Sequence, residues 1–314
     1  MPSLLAQQLA KIAGPKVNFG SKAKASLIFD FKEAAEIDKT TLWVMSNSAF
    51  QALVQQQPSL RQFSDSLFSE ASKDQNRMKM TNDESDRIDV LIQSFLQQIS
   101  PMFLQTEALH LMEWLISRFQ INEFNVDSIM ECILPYHETK PFLKFVSILA
   151  ISELSKWIFL KNAAEKKSPI TRDLIVERCK SDRSLLHFVL KMMAHVTSGK
   201  IVHPTLSAFY VCILSQYVAT KAIVDNDLRD ILPHTLAALA SKNTDSVATA
   251  FMILTMIAKK TELEQSVLSD ILCIGASTGG ASAMTILSLV TICQCQTAEI
   301  HMPEEFVHSL ISAR

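Results

Sequence analysis

Gly275-Ala276-Ser277-Thr278-Gly279 has the G-x-S-x-G spacing of a nucleophile elbow, in which a tight strand-to-helix turn lifts a serine towards a carbonyl substrate. Such a serine needs an acid and then a histidine carried on later strands. Beyond Ser277 only 37 residues follow, none of them Asp, and Glu299 stands two positions before His301, which leaves no room for a sheet element between them. The segment therefore reads as a glycine-rich turn between helices, and no enzyme activity is expected. His137-Glu138 opens an H-E-x-x-H zinc signature, but its fifth position is Pro141, which offers no ligand atom. Cys293-Gln294-Cys295 points its thiols to different helix faces and has no second pair to complete a tetrahedral site. His110, His187, His195 and His234 are isolated and read as locally hydrogen-bonded boundary or core residues. No cofactor, metal or small-molecule substrate is expected.

The elements that would position any site are helices. Between Leu109 and Phe145, apolar residues recur at helical spacing (Leu109, Met112, Leu115, Ile116, Phe119; then Ile129, Cys132, Ile133), with Thr106 and Asn125 as the preceding caps. Pro135 closes the second helix. Tyr136, His137, Glu138 and Thr139 then form a polar corner, with Thr139 capping a third helix whose Pro141 sits in the first turn. Trp114, Arg118 and Phe119 have the types and spacing of an interface anchor. Together with Tyr136, His137 and Glu138 they are the candidate partner-binding residues. The same spacing also fits Trp114 and Phe119 as core with Arg118 at the surface, and this is the preferred reading of those three.

The chain has 314 residues, 48% of them hydrophobic, with only 6 Gly and 10 Pro, and a mean hydropathy of +0.17. It can bury a large core, and the near absence of alternation argues for an all-α fold. The net charge of −2 is not that of a dedicated nucleic-acid binder. It is unevenly spread: Lys156 to Lys200 carries ten basic residues against four acids, +6 locally, which leaves −8 elsewhere. Within that stretch Lys161, Lys166, Lys167 and Arg172 are the candidate RNA-phosphate contacts, although no aromatics interleave with them for base stacking and a solvated surface is the default reading. Six scattered cysteines and no secretory signal at the start point to a reducing compartment. The longest apolar runs, such as Ala283 to Cys293, fall short of the ~20 residues of a membrane span, so no membrane contact is expected.

Ser3 to Ala13 reads as a short helix, Gly14 to Lys24 as a loop, Asp38 to Gln57 as a longer helix, and Ser69 to Asn82 as a polar connection before a helix capped by Asn82 with Ser85. From Pro169 onward paired helices recur. Units opening near His203, Asn243 and Gly280 give a period of roughly 40 residues, the length of HEAT-like hairpins. The expected organisation is a helical N-terminal block over 1–160 continuing into a HEAT-like α-solenoid over 161–314. The last helix, Glu304 to Arg314, lacks the polar outer unit that ends a solenoid, so the chain is expected to be a fragment.

The blocks EWLI.RF, FN.DS, C.LPYHET and PFLKFV between Glu113 and Val146 resemble one family, the very large nucleolar HEAT-repeat protein of the small-subunit processome, which associates with the U3 small nucleolar RNA particle. Upstream, SLLAQQL at Ser3 to Leu9, SLIFDFKEAAEID at Ser26 to Asp38, LFSE at Leu67 to Glu70 and ISPMFL at Ile99 to Leu104 follow in the family's order. The likeness is to that family's N-terminal region and covers the first half of the chain, with the rest similar only as a helical pattern. It implies a non-enzymatic scaffold in the nucleus and nucleolus, supporting pre-ribosomal RNA transcription and early processing. The implied partners are other processome proteins, propeller-containing ones among them, and pre-ribosomal RNA, touched directly or indirectly. The alternative is a HEAT-type transport or regulatory adaptor unconnected to ribosomes, which would not share the upstream blocks.

Overall fold

The computed structural model describes residues 25–166, 168–198, 201–279, 282–297 and 302–312. Among them there is no strand. The expected segment Ser3 to Lys24 and the candidate Lys167 lie outside the described residues.

The first half is a block of short helices: α1 (Phe31–Glu36), α2 (Lys39–Gln56), α3 (Asn82–Ile99), α4 (Thr106–Phe119), α5 (Ile121–Phe124), α6 (Val126–Ile133), α7 (Lys140–Ile148) and α8 (Ile158–Lys166). Helix α2 packs on α4, α3 on α6 and α7 on α8. Buried aromatics fill the space between them, with Phe50 stacked on Phe68 at 4.6 Å and Phe63 edge-on to Phe95 at 5.3 Å. Thr139 caps α7 as expected, accepting from Phe142 N. Three expected caps are different. Thr106 is the first residue inside α4, and Gln105 stands before it at the N-cap with no side-chain cap bond. Helix α3 is capped one residue earlier, where Thr81 and Glu84 form a reciprocal capping box. Asn125 stands at the start of α6 but makes no cap bond there. Its amide is drawn instead to Asp89 and to the buried Arg77, whose charge needs it more.

The second half is built from α9 (Arg172–Ser181), α10 (Arg183–Met192), α11 (Ala194–Thr197), α12 (Pro204–Thr220), α13 (Asp225–Leu239), α14 (Thr244–Ala258), α15 (Gln265–Gly279), α16 (Ala283–Gln294) and α17 (Glu304–Ser312). Helices α9, α12, α14 and α16 pack successively in one row, and α10, α13, α15 and α17 in a second. Starts at 204, 244 and 283 in the first row, and at 225, 265 and 304 in the second, recur every 39 or 40 residues. This two-layered stack is an α-solenoid with the period read from the sequence. The hydrophobic core runs without a break from Leu27 to Ile292. At the junction of the two halves, Trp157 meets Phe188 edge-on at 4.8 Å.

The expected turn at Gly275 to Gly279 is in fact the last part of α15. Gly275 is there because two neighbouring helices approach it. A Cβ at that position would lie 3.0 Å from Leu289 Cδ2 and 3.3 Å from Phe251 Cζ. Ser277 is exposed and donates to Ile274 O, one turn back in the same helix, so there is no elbow.

Candidate functional site

The sequence blocks in the first half prove to be in contact with one another. Glu113, buried on α4, accepts from Leu27 N at 2.6 Å and Ile28 N at 3.1 Å, which fixes the Ser26 to Asp38 block. Next to it Trp114 Nε1 donates to Leu67 O at 3.0 Å, in the LFSE block. Tyr136 Oη donates to Ser100 O at 2.7 Å, in the ISPMFL block. Arg118 Nη1 donates to Lys73 O at 2.6 Å. These four side chains thus tie the blocks together through buried or half-buried polar contacts to distant backbone groups.

That architecture decides most of the candidates. Trp114 and Phe119 are 1% and 0% exposed and lie in the core of the block. Tyr136 is buried and spent on Ser100, and Arg118 is half-buried against Lys73, because both serve the packing of the block. His137 is 7% exposed and Glu138 is exposed.

What is left open is a groove. Pro135, His137 and Glu138 of the corner face Arg172 at the start of α9 and Thr205, Ala208, Phe209, Cys212 and Ile213 along α12, around a volume of about 170 Å³. His137 Nδ1 lies 2.8 Å from Ile170 O, a carbonyl that can only accept, so the proton sits on Nδ1 and Nε2 offers a lone pair. Burial, first of all, holds the His137 pKa below its ordinary value and keeps the ring neutral. The ring lies on Phe209 at 5.6 Å. The groove thus offers an apolar floor, one neutral acceptor, a carboxylate at Glu138 and a guanidinium at Arg172. It brings together His137 and Glu138 of one surface picked out in the sequence with Arg172 of the other. The α12 residues were not foreseen, since nothing local marks them.

Four of the ten basic residues of the stretch are closely paired within the fold. Lys156 pairs with Asp127 at 2.6 Å, Arg178 with Asp182 at 3.3 Å, Lys180 with Glu177 at 2.6 Å, and Arg183 with Asp230. Lys161, Lys166 and Arg172 are exposed, with Lys161 loosely paired to Glu153 at 3.7 Å.

One pair resembles a catalytic dyad. Ser100 Oγ lies 2.8 Å from His203 Nε2 in a buried setting. Yet His203 caps α12, its Nδ1 accepting from Leu206 N at 3.2 Å, so Nε2 carries the proton and donates to Ser100. The serine's own proton goes to Cys132 O at 2.7 Å. A base must accept from its nucleophile, and here the polarity is reversed.

A profile of the family described as "U3 small nucleolar RNA-associated protein 10" matches residues 227–314, in the half where the sequence alone showed only a helical pattern. The chain is 34% identical over 248 residues to a HEAT repeat-containing protein 1 homolog of Dictyostelium discoideum, covering 79% of this chain and 11% of that protein. It is 31% identical over 279 residues to HEAT repeat-containing protein 1 of Homo sapiens, covering 85% and 13%. It is 29% identical over 293 residues to U3 small nucleolar RNA-associated protein 10 of Aspergillus oryzae, covering 87% and 16%. The chain therefore spans only 11 to 16% of the length of these relatives.

Proposed function

The chain belongs to the family of HEAT repeat-containing protein 1 and U3 small nucleolar RNA-associated protein 10, and on that premise we propose that it is a non-enzymatic scaffold segment acting in ribosome biogenesis. Its place is the small-subunit processome in the nucleolus, where it supports pre-ribosomal RNA transcription and early processing. It works by holding other processome proteins, propeller-containing subunits among them, and not by chemistry. Residues 1–160 are the family-specific N-terminal helical domain and 161–314 the HEAT-like hairpins, and the groove takes its lining from both.

The observation that carries this reading is the groove at the corner. Glu113, Trp114, Arg118 and Tyr136 are turned inward to hold the block together, whereas Glu138 and Arg172 stand exposed beside an apolar floor. Opposite charges flanking an apolar anchor point set orientation and select a partner more than they add affinity. RNA contact is a secondary role, placed on Lys161, Lys166, Lys167 and Arg172.

Co-purification of the tagged protein tests the assignment. Glu138→Lys combined with Arg172→Glu is expected to lose processome proteins and, with them, the U3 small nucleolar RNA. Lys161→Ala, Lys166→Ala and Lys167→Ala together should leave protein recruitment intact. Loss of recruitment only in the triple lysine variant would show that the basic face, not the groove, is the dock.

A further inference from the structure

His137 is only 7% exposed, yet its ring lines the groove at the corner. Its Nδ1–H is spent on Ile170 O. Nε2 receives no hydrogen bond among the described residues, and it is not one of the polar atoms shut inside the core without a partner, as Tyr210 Oη is. A buried side chain is thus held so that its one remaining polar atom, an acceptor, stays open to the groove. Water can satisfy that acceptor, but a ligand that covers it without supplying a donor loses free energy.

The surroundings select which donor fits. Phe209, 5% exposed, stands 5.6 Å from the imidazole, and Pro135, Cys212 and Ile213 complete an apolar lining. At about 170 Å³ the groove is smaller than the ~300 Å³ from which small-molecule pockets start, and it suits a single large side chain. Leucine or phenylalanine would fill the space and leave Nε2 unpaired. Lysine or arginine would donate, but as a second cation beside Arg172 and at the cost of desolvating its charge on the apolar floor. Tyrosine also donates, yet its oxygen carries lone pairs that the floor does not satisfy. The indole of tryptophan is a donor only, set on a large apolar body.

We propose that the groove seats one tryptophan side chain of a partner protein, with the indole N–H donating to His137 Nε2 and the ring lying against Phe209. This seat presupposes that the groove is the dock and specifies what the dock reads. Glu138 and Arg172, both exposed beside the floor, then meet the partner's main chain next to the tryptophan, the one accepting from N–H and the other donating to C=O. A buried aromatic anchor carries most of the energy of such a contact, and the charges at its rim set the orientation.

N-acetyl-tryptophanamide is the probe that tests the seat. Two comparators go with it: N-acetyl-benzothienylalanine amide, in which sulfur replaces the N–H at nearly the same shape, and N-acetyl-tyrosinamide. Each is titrated into the chain carrying isotope-labelled histidine, and the unprotonated ring-nitrogen NMR signal that disappears in His137→Asn identifies Nε2. The tryptophan probe is expected to shift that signal and to bind about threefold to tenfold tighter than the benzothienyl comparator, the worth of one hydrogen bond. His137→Asn keeps a donor for Ile170 O but has no atom in place of Nε2, and there the margin should vanish. An unmoved Nε2 signal, equal binding of the two bicyclic probes, a margin that survives His137→Asn, or tighter binding of the tyrosine probe would each overturn the proposal. Recruitment in cells separates this failure from that of the docking reading. If Glu138→Lys with Arg172→Glu loses the processome proteins while His137→Asn retains them, the groove stands as the dock and the tryptophan seat falls. If both variants retain them, the groove is not the dock and both readings fall.

Discussion

His203 shows how a titratable side chain can serve the fold alone. Its Nδ1 caps α12, its Nε2–H reaches Ser100, and burial pushes its pKa from the ordinary 6.5 down to about 4. Between those two values the unfolded chain binds a proton that the folded chain refuses, so stability falls as pH drops through the window and recovers above it. One group of this kind gives a slope approaching 1.4 kcal/mol per pH unit, on the order of 3 kcal/mol across the window. His137, also shifted down by burial, acts in the same direction. Urea unfolding from pH 7 to pH 4 should therefore show a steep loss of stability before the carboxylates titrate. His203→Asn keeps an N-cap acceptor but cannot titrate. It should be less stable at pH 7 by about 1–2 kcal/mol, for the lost Ser100 contact, and flatter with pH. An unchanged pH slope in that variant would show that other groups carry the dependence.

At the scale of elements, Gly275 is the position where helix propensity and packing disagree. Glycine costs a helix about 1 kcal/mol against alanine, so Gly275→Ala would be stabilising on an isolated α15. Within the solenoid the added methyl meets Leu289 and Phe251, both 3% exposed and with little room to give. Overpacking costs about 1–3 kcal/mol, and the expected sum is a net loss of about 1 kcal/mol, read as a lower urea midpoint at unchanged m-value. Ser277→Ala, two residues on and exposed, should be neutral within about 0.5 kcal/mol. The sequence was legible where each helix carries its own signal: the 39- or 40-residue interval, Thr139 as a cap and the apolar lines of α4 and α6 all follow from local spacing. It was not legible where a residue's role is set by a distant one. Gly275 reads as part of a turn because its reason lies in α14 and α16. Asn125 read as a cap because Arg77, buried in a segment that looked like a polar loop, cannot be seen from its neighbours. The groove hides for the same reason, since Phe209 and Cys212 are distant in sequence from Glu138.

For the whole molecule, the question is how much of its uneven charge is available to RNA. The local excess of +6 suggests a binding face, but Lys156, Arg178, Lys180 and Arg183 each hold a carboxylate within the fold, and releasing them would leave those acids unpaired. The contacts proposed for RNA are Lys161, Lys166, Lys167 and Arg172, set in a chain whose remainder is at −8. Counterion release fixes what four contacts can do. With about 0.7 of an ion released per phosphate on a single strand, the logarithm of affinity should fall against the logarithm of salt with a slope no steeper than about −3. Fluorescence anisotropy with a labelled single-stranded RNA, titrated over a range of salt, measures that slope directly. Weak binding with a slope near −3, made shallower by about 0.7 for every basic residue removed, fits a scaffold that touches RNA in passing. A slope twice as steep would mean that the internal ion pairs open on binding, and that RNA, not protein, is what this surface was built to hold.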